Sequence, residues 1–299
     1  MNEALNTVWS QMIQTPLTLD YHRRLRFREE RKVEILQAFD LKPNSITADI
    51  GCGPGTLSLK LAQWLGPSST IIGVDRDLNF IEFAKHRALE TGATNLHYQT
   101  GDALNLPMAD NSVEQVISYT VVEHLPHEPF FKEQIRICKN GGRIAAGYVR
   151  IDKNLNYSSG LLPAPTEREK ELWRKISIDC VKTDKALQVG EFQPQEEQLL
   201  ALFSRLGMQD IHLNILALPV CLADSRFSET ERRDLRQQEL AQQLEVIEIL
   251  QNQRGLLSYS EFTELNSLVK NRLSIKSNHN PAWDFNVSFN IVITGQVNK

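Results

Sequence analysis

Between residues 44 and 150 short apolar runs alternate with stretches of helical period, and this alternation restricts the fold more than any other feature. Ile46–Ile50, Thr70–Val74, Asn95–Gln99, Val113–Ser118 and Arg143–Val149 read as strands. Leu57–Leu65, Leu78–Thr91 and Pro129–Cys138 read as the helices between them. Strand–helix units of this length imply a parallel sheet with helices on both faces. The rest of the chain is less regular. Residues 21–39 read as one helix that turns amphipathic at Val33, Ile35, Leu36 and Phe39 and is broken by "LKPN". Helices are expected over about 166–181 and 196–206, the latter stopped by Gly207. Gln209–Leu218 and Phe285–Thr294 read as strands. Between them Ser228-x-x-Glu231 and Ser258-x-x-Glu261 are capping-box patterns that would start helices near 229–253 and 260–274. "KNGG" at 139–142 is expected to turn the chain into the strand at Arg143.

The first strand leads into "ADIGCGPGTLSLKLA", residues 48–62, with glycines at 51, 53 and 55. Glycines here let a ligand approach the main chain, facing the N-terminus of the next helix. A phosphate loop needs Gly-Lys-Ser/Thr at its end; Thr56 and Leu57 follow Gly55, so that reading fails. The dinucleotide fingerprint G-x-G-x-x-G is matched imperfectly, since counting from Gly51 its last position is Thr56. What stands is Asp49-x-Gly51-x-Gly53-x-Gly55. Asp75 closes the next strand, where a βαβ cofactor fold places an acid on ribose hydroxyls; the alternative is a cap for the helix beginning near Leu78.

These residues, with GDALNLPMADNSVEQVIS at 101–118 and YTVVEHLPHEPFFKEQIRICKNGGRI at 119–144, resemble the motifs of class I S-adenosylmethionine-dependent methyltransferases over about residues 44–150. The resemblance implies an α/β, Rossmann-like fold. Its seven-stranded sheet would have order 3-2-1-4-5-7-6, the last strand antiparallel. It implies S-adenosylmethionine as cofactor, with S-adenosylhomocysteine as product. It places the cofactor at Asp49, Gly51, Cys52, Gly53, Gly55, Asp75, Arg76, Asp102, Ala103 and Tyr119, with Asp102 on the adenine amino group and Ala103 lending its N–H. In the basic segment 21–32, a solvated helix face competes with a sharper reading, in which Tyr21 and one of the arginines close over the cofactor's methionine carboxylate, and with a third, in which the segment meets an anionic substrate or an RNA phosphate.

Methyl transfer is an in-line displacement, so alignment supplies much of the acceleration, and a general base helps a neutral hydroxyl nucleophile. His124 is the candidate base, with Glu123 beside it. The E-x-x-E-H of ubiquinone-biosynthesis O-methyltransferases can hold a metal, but Thr120 replaces its first Glu here, so no metal is assigned. The formal charge of −4 argues against a dedicated nucleic-acid binder. Cys52, Cys138, Cys180 and Cys221 form no C-x-x-C pair and read as reduced thiols; they raise arsenite methyltransferases, whose surrounding motifs are not evident. The chain lacks an 18-residue apolar run and a signal-peptide layout at its start, which gives a cytoplasmic expectation.

The expected organisation is a helical cap over 1–43, a cofactor core over 44–150 and a C-terminal part over 151–299 that completes the sheet. Segments 151–193 and 222–284 leave strands from the carboxyl edge and are expected to form a helical lid over the substrate. Val246, Ile247, Ile249 and Leu250 would give it an apolar face, as lid core or dimer seam, and Tyr148, Tyr157, Trp173 and Trp283 are pocket candidates. The expected acceptor is a small or medium organic molecule, and the protein a monomer or homodimer. The alternatives are an RNA- or protein-methylating enzyme and a silent cofactor-binding partner.

Overall fold

The computed structural model describes residues 8–157, 164–177, 189–278 and 285–299. Its strands are β1 (Ile46–Ile50), β2 (Thr70–Asp75), β3 (Leu96–Thr100), β4 (Val113–Tyr119), β5 (Cys138–Val149), β6 (Leu155–Tyr157), β7 (Gln209–Val220) and β8 (Phe285–Gln296). They form one sheet in which β3-β2-β1-β4-β5 are parallel neighbours. β8 runs antiparallel between β5 and β7. With β7 and β8 as the sixth and seventh strands, this is the expected order. The correction is β6, an eighth strand of three residues that pairs with Phe285–Val287 of β8, beyond the stretch of β8 paired with β5. Helices cover both faces, so the central strands are buried on both sides and alternate between two cores. Ile117, Ala145 and Val292 face one core; Val116, Ile144 and Ile293 face the other.

The helices flanking the sheet are α1 (Val8–Met12), α2 (Pro16–Arg26), α3 (Lys32–Ala38), α4 (Thr56–Leu65), α5 (Leu78–Thr91) and α6 (His127–Ile137). The continuous helix expected over 21–39 is broken. α2 starts earlier, capped by Thr15, and ends at Phe27, whose ring is fully buried against Tyr119 with centroids 5.0 Å apart. Burying that ring turns the chain, and a 3-10 turn at Glu29–Arg31 precedes α3. The "KNGG" turn is a bulge inside β5: the β4 register jumps from Val113↔Cys138 to Gln115↔Arg143, and Gly141 has φ +78°.

The remaining helices are α7 (Glu167–Ser177), α8 (Glu196–Arg205), α9 (Glu229–Arg254) and α10 (Tyr259–Asn278). α9 begins with a complete capping box between Ser228 and Glu231. α7, α9 and α10 enclose their own core of Leu172, Ile176, Ile247, Leu250, Leu265 and Val269. Val246 packs on it, so the apolar face of α9 is spent on insert core. The seam from α9 to α2 is polar: the Glu245 carboxylate accepts from Thr15 and Thr18 Oγ1 at 2.7 Å each, and Arg24 donates to Gln238 Oε1 at 2.5 Å.

Candidate cofactor and active site

Gly51, Gly53 and Gly55 all have positive φ (+69°, +56°, +75°), so the loop between β1 and α4 curls left-handed three times. Gly51 has no room for a side chain, since a Cβ there would lie 2.4 Å from Val121 Cγ2. Gly51→Ala is expected to cost about 2–3 kcal/mol, strain plus overpacking. Gly66→Ala, at φ +80° with open space around it, is expected to cost only about 1 kcal/mol. Paired urea melts measure the difference, and equal losses would contradict the crowding argument.

Asp75, half-buried at the end of β2, closes the loop by accepting the Gly53 N–H at 2.8 Å on one oxygen. The other oxygen accepts the Asp77 N–H at 2.9 Å. The cap of α5 is Asp77, which accepts from Asn79 and Phe80 and also ties down Ser10 of α1. The capping reading of Asp75 is therefore replaced by one two residues on. Asp49 is buried at the end of β1, and Ser58 Oγ donates to it at 2.5 Å. Burial raises its carboxyl to about 6 and raises Asp75 as well. Cys52 is fully buried, and desolvation with two nearby carboxylates pushes its thiol far up, so it is inert packing.

Helix α2 lies over this loop. A Cβ on Gly53 would meet Leu19 at 3.1 Å, and Thr56 Oγ1 donates to the buried Asp20 at 2.8 Å. Arg23 is only 3% exposed and donates to the Tyr119 carbonyl at 3.1 Å and to Thr120 Oγ1 at 2.8 Å. It acts electrostatically on Asp49, Asp75 and Glu123, and its Nε is buried without a hydrogen-bond partner among the described residues. Arg23 is thus the arginine of the basic segment that reaches the glycine loop. Tyr21 packs against Phe227 and Leu235, with Glu239 and Arg24 acting on its hydroxyl, so the geometry assigns it to the seam with α9 rather than to the loop.

The 101–112 stretch is built by Arg136 of α6. Its guanidinium donates to the carbonyls of Met108 at 2.8 Å and Leu106 at 3.1 Å, and pairs with Asp110 and Glu133. Asp102 is exposed and accepts the Leu104 N–H at 2.9 Å, and Ala103 packs on the core beneath. Arg76 is exposed, 6.0 Å from the Trp9 ring.

At the carboxyl end of β4 the Tyr119 ring is core, its hydroxyl donating to Asn290 at 2.5 Å, so only its backbone faces the loop. Thr120 sits at φ +56°, a strained conformation of the kind that clusters at functional sites, held by Arg23. The 3-10 turn Val122–His124 follows. Glu123 Oε2 is buried without a hydrogen-bond partner among the described residues, and desolvation raises its carboxyl to about 7. His124 Nδ1 accepts the Gly190 N–H at 2.9 Å, and the ring stacks edge-on against Trp9 at 4.8 Å. Burial lowers it to about 4, so it is neutral. With its Nδ1 lone pair engaged, Nε2 carries the proton and the ring is a donor. In this arrangement the expected base His124 has its Nδ1 occupied, while the Glu123 carboxyl beside it has an oxygen without a hydrogen-bond partner among the described residues.

Of the aromatic candidates, Tyr148 is buried in the core beside Glu196, and Trp173 packs in the insert core. Tyr157 supplies only a strand position, pairing with Phe285. Trp283 and Cys180 lie outside the described residues. Cys52 and Cys138 sit in opposite cores, and Cys221 is half-buried in a third place. The described thiols are therefore not gathered for arsenic chemistry.

A methyltransferase-domain family matches residues 41–216, well over half of the chain. A demethylmenaquinone methyltransferase of Desulfitobacterium hafniense is 33% identical over 192 residues, covering 61% of this chain and 73% of that protein. An arsenite methyltransferase of Halobacterium salinarum is 34% identical over 106 residues, covering 35% of this chain. Some relatives are spanned only in part: 27% of the arsenite enzyme, and 53% of a demethylmenaquinone methyltransferase from a Geobacillus strain. Among solved structures, phosphoethanolamine N-methyltransferase 2 of Haemonchus contortus aligns over 97% of this chain and 60% of that one, with TM-score 0.55 and 16% identity. Such a likeness speaks for the fold alone. Family match, motif order and glycine-loop geometry converge: the chain belongs to the class I S-adenosylmethionine-dependent methyltransferases.

Proposed function

We propose that the protein transfers a methyl group from S-adenosylmethionine to a small or medium organic acceptor, with Glu123 as the proton-accepting group. The observation that carries the reading is Arg23, a buried cation over the glycine loop with Asp49, Asp75 and Glu123 in its field. A zwitterionic, diol-bearing ligand fits this set. Arg23 suits a carboxylate, Asp49 an ammonium, Asp75 the ribose hydroxyls and Asp102 an adenine amino group. When bound, S-adenosylmethionine supplies an electrophilic methyl on a sulfonium. The chain's part is to fix that geometry, exclude water beneath α2, and take the proton of a hydroxyl or acidic acceptor at Glu123. The insert of α7, α9 and α10 serves as the lid, reaching the loop through α2. Relatives named for demethylmenaquinone and arsenite favour a small acceptor over RNA or protein. No helix among the described residues is long and apolar enough to cross a membrane.

Calorimetry with S-adenosylmethionine tests cofactor binding: no heat at high micromolar cofactor overturns the assignment, and turnover on a metabolite panel then separates enzyme from binder. Glu123→Gln is expected to lower kcat about 100-fold while cofactor affinity holds within about twofold. It also has a signed effect on stability. The Glu123 carboxyl is raised in the fold, from an ordinary 4.5 to about 7. Its stabilising contribution is therefore full below about 4.5 and lost as pH rises through about 7. Glu123→Gln should gain stability relative to the parent between pH 5 and pH 8, on the order of 1–3 kcal/mol. Melts at the two pH values that show no relative gain would remove the desolvation argument.

A further inference from the structure

The basic run that gives Arg23 to the glycine loop also places Arg26, the last residue of α2, one turn further along. Basic residues suit a helix C-terminus, and that accounts for part of the run. The neighbouring arginines have carboxylates of their own: Arg24 pairs with Asp20, Arg28 with Glu30, Arg31 with Glu34 and Arg226 with Asp224. Arg26 is half-buried and has no ion pair or hydrogen bond from its side chain among the described residues. It acts electrostatically on His22, Arg23 and Glu123.

Arg26 lines a recess of about 30 Å³ at the carboxyl end of β7, together with Leu25, Leu218, Pro219 and Phe227. Arg28 roofs it, its guanidinium 3.6 Å from the Phe227 ring centroid. The full lining holds four arginines against two acids, Glu30 and Asp224, so it is net positive by two. A cavity of that size takes about two waters, or the head of one acid group. A half-buried cation with no ion pair among the described residues, beside apolar walls, is complementary to an acid group on an apolar stem.

We propose that Arg26 and this recess bind the anionic head of an acidic, partly apolar small molecule, and that this molecule is the methyl acceptor. Its identity as acceptor rests on the methyl-transfer reading above; the anion site itself does not. The probe is butyrate, with butyramide as its neutral isostere, titrated by NMR against the full chain. In the parent protein butyrate is expected to bind about tenfold more tightly than butyramide. Arg26→Gln should remove that preference, and Arg26→Lys should keep most of it. In both variants the affinity for S-adenosylmethionine should stay within about twofold. No preference in the parent, or a full preference surviving in Arg26→Gln, overturns the site. A parallel fall in S-adenosylmethionine affinity in Arg26→Gln overturns it too, by assigning Arg26 to the methyl donor. A chain that binds butyrate through Arg26 but binds no S-adenosylmethionine supports the anion site while defeating the methyl-transfer reading. Turnover of an acceptor that carries no acid group overturns the acceptor assignment.

Discussion

Arg23→Ala is expected to weaken S-adenosylmethionine binding about 100-fold and to destabilise the ligand-free protein by about 3–4 kcal/mol. The two losses have one origin. The guanidinium is the buried positive charge in the field of Asp49, Asp75 and Glu123, and it supplies two donors to the strained turn at Thr120. Without it the desolvated Asp49, on which Asp75 acts, and Asp75 itself lose the cation in their field, and the Tyr119 carbonyl and Thr120 hydroxyl lose a shared donor. Arg23→Lys separates charge from geometry. The ammonium restores charge but not a fork, so stability should return further than affinity. Calorimetry and urea melts on both variants read the effects, and a cofactor Kd for Arg23→Ala within threefold of the parent would refute the role.

The second large effect lies in the insert. Glu169 on α7 is 1% exposed, and Arg272 on α10 reaches it with Nε at 3.0 Å and a second nitrogen at 2.8 Å, while also donating to Gln243 of α9 at 3.2 Å. Arg272→Ala leaves a buried carboxylate unpaired and should cost about 3–5 kcal/mol. Two further pairs join the same helices, Lys175–Glu261 at 2.8 Å and Arg168–Glu264 at 2.9 Å, but both are solvated. Lys175→Ala should therefore cost no more than about 1 kcal/mol. Replacing Arg272 and Glu169 together by leucine should recover most of the single-variant loss, because the penalty is the orphaned charge rather than the missing bond. Limited proteolysis is expected to cut first in the insert of Arg272→Ala. Equal losses for Arg272→Ala and Lys175→Ala would show that burial does not decide the cost.

Periodicity reported the sheet well because both its faces are covered. β1 and β4 are buried along nearly their whole length, and the two capping boxes set the starts of α9 and α10 close to where they fall. What escaped the sequence depended on distant partners. The break at Phe27 has neither proline nor glycine to mark it; it follows from a ring that packs on Tyr119, far along the chain. β6 is three residues long and exists through pairing with β8. Arg23 was one of several arginines in a row, yet its spacing from Leu19, four residues back, places both on the face over the glycine loop. The role of His124 could not be read locally, because the group occupying its Nδ1 is the Gly190 N–H, 66 positions away. Arg136 was legible as part of a motif but not as the brace of the 106–110 loop.

The position of β8 has a consequence for the order in which the molecule can be made. β7 pairs with β8 and with no other described strand, and Leu213 and Ile215 on it are exposed even in the finished fold, at 39% and 60%. On the ribosome β7 is complete about 65 residues before β8 begins, a wait of roughly 3–13 s at ordinary rates of synthesis. Throughout that interval a twelve-residue strand has two open edges, and the edge of β5 beside it is open as well. The nascent chain is then most exposed to strand pairing with a neighbour, or with a chaperone that holds extended segments. The insert, whose apolar residues close on a core of their own, can fold during the delay rather than add to the hazard.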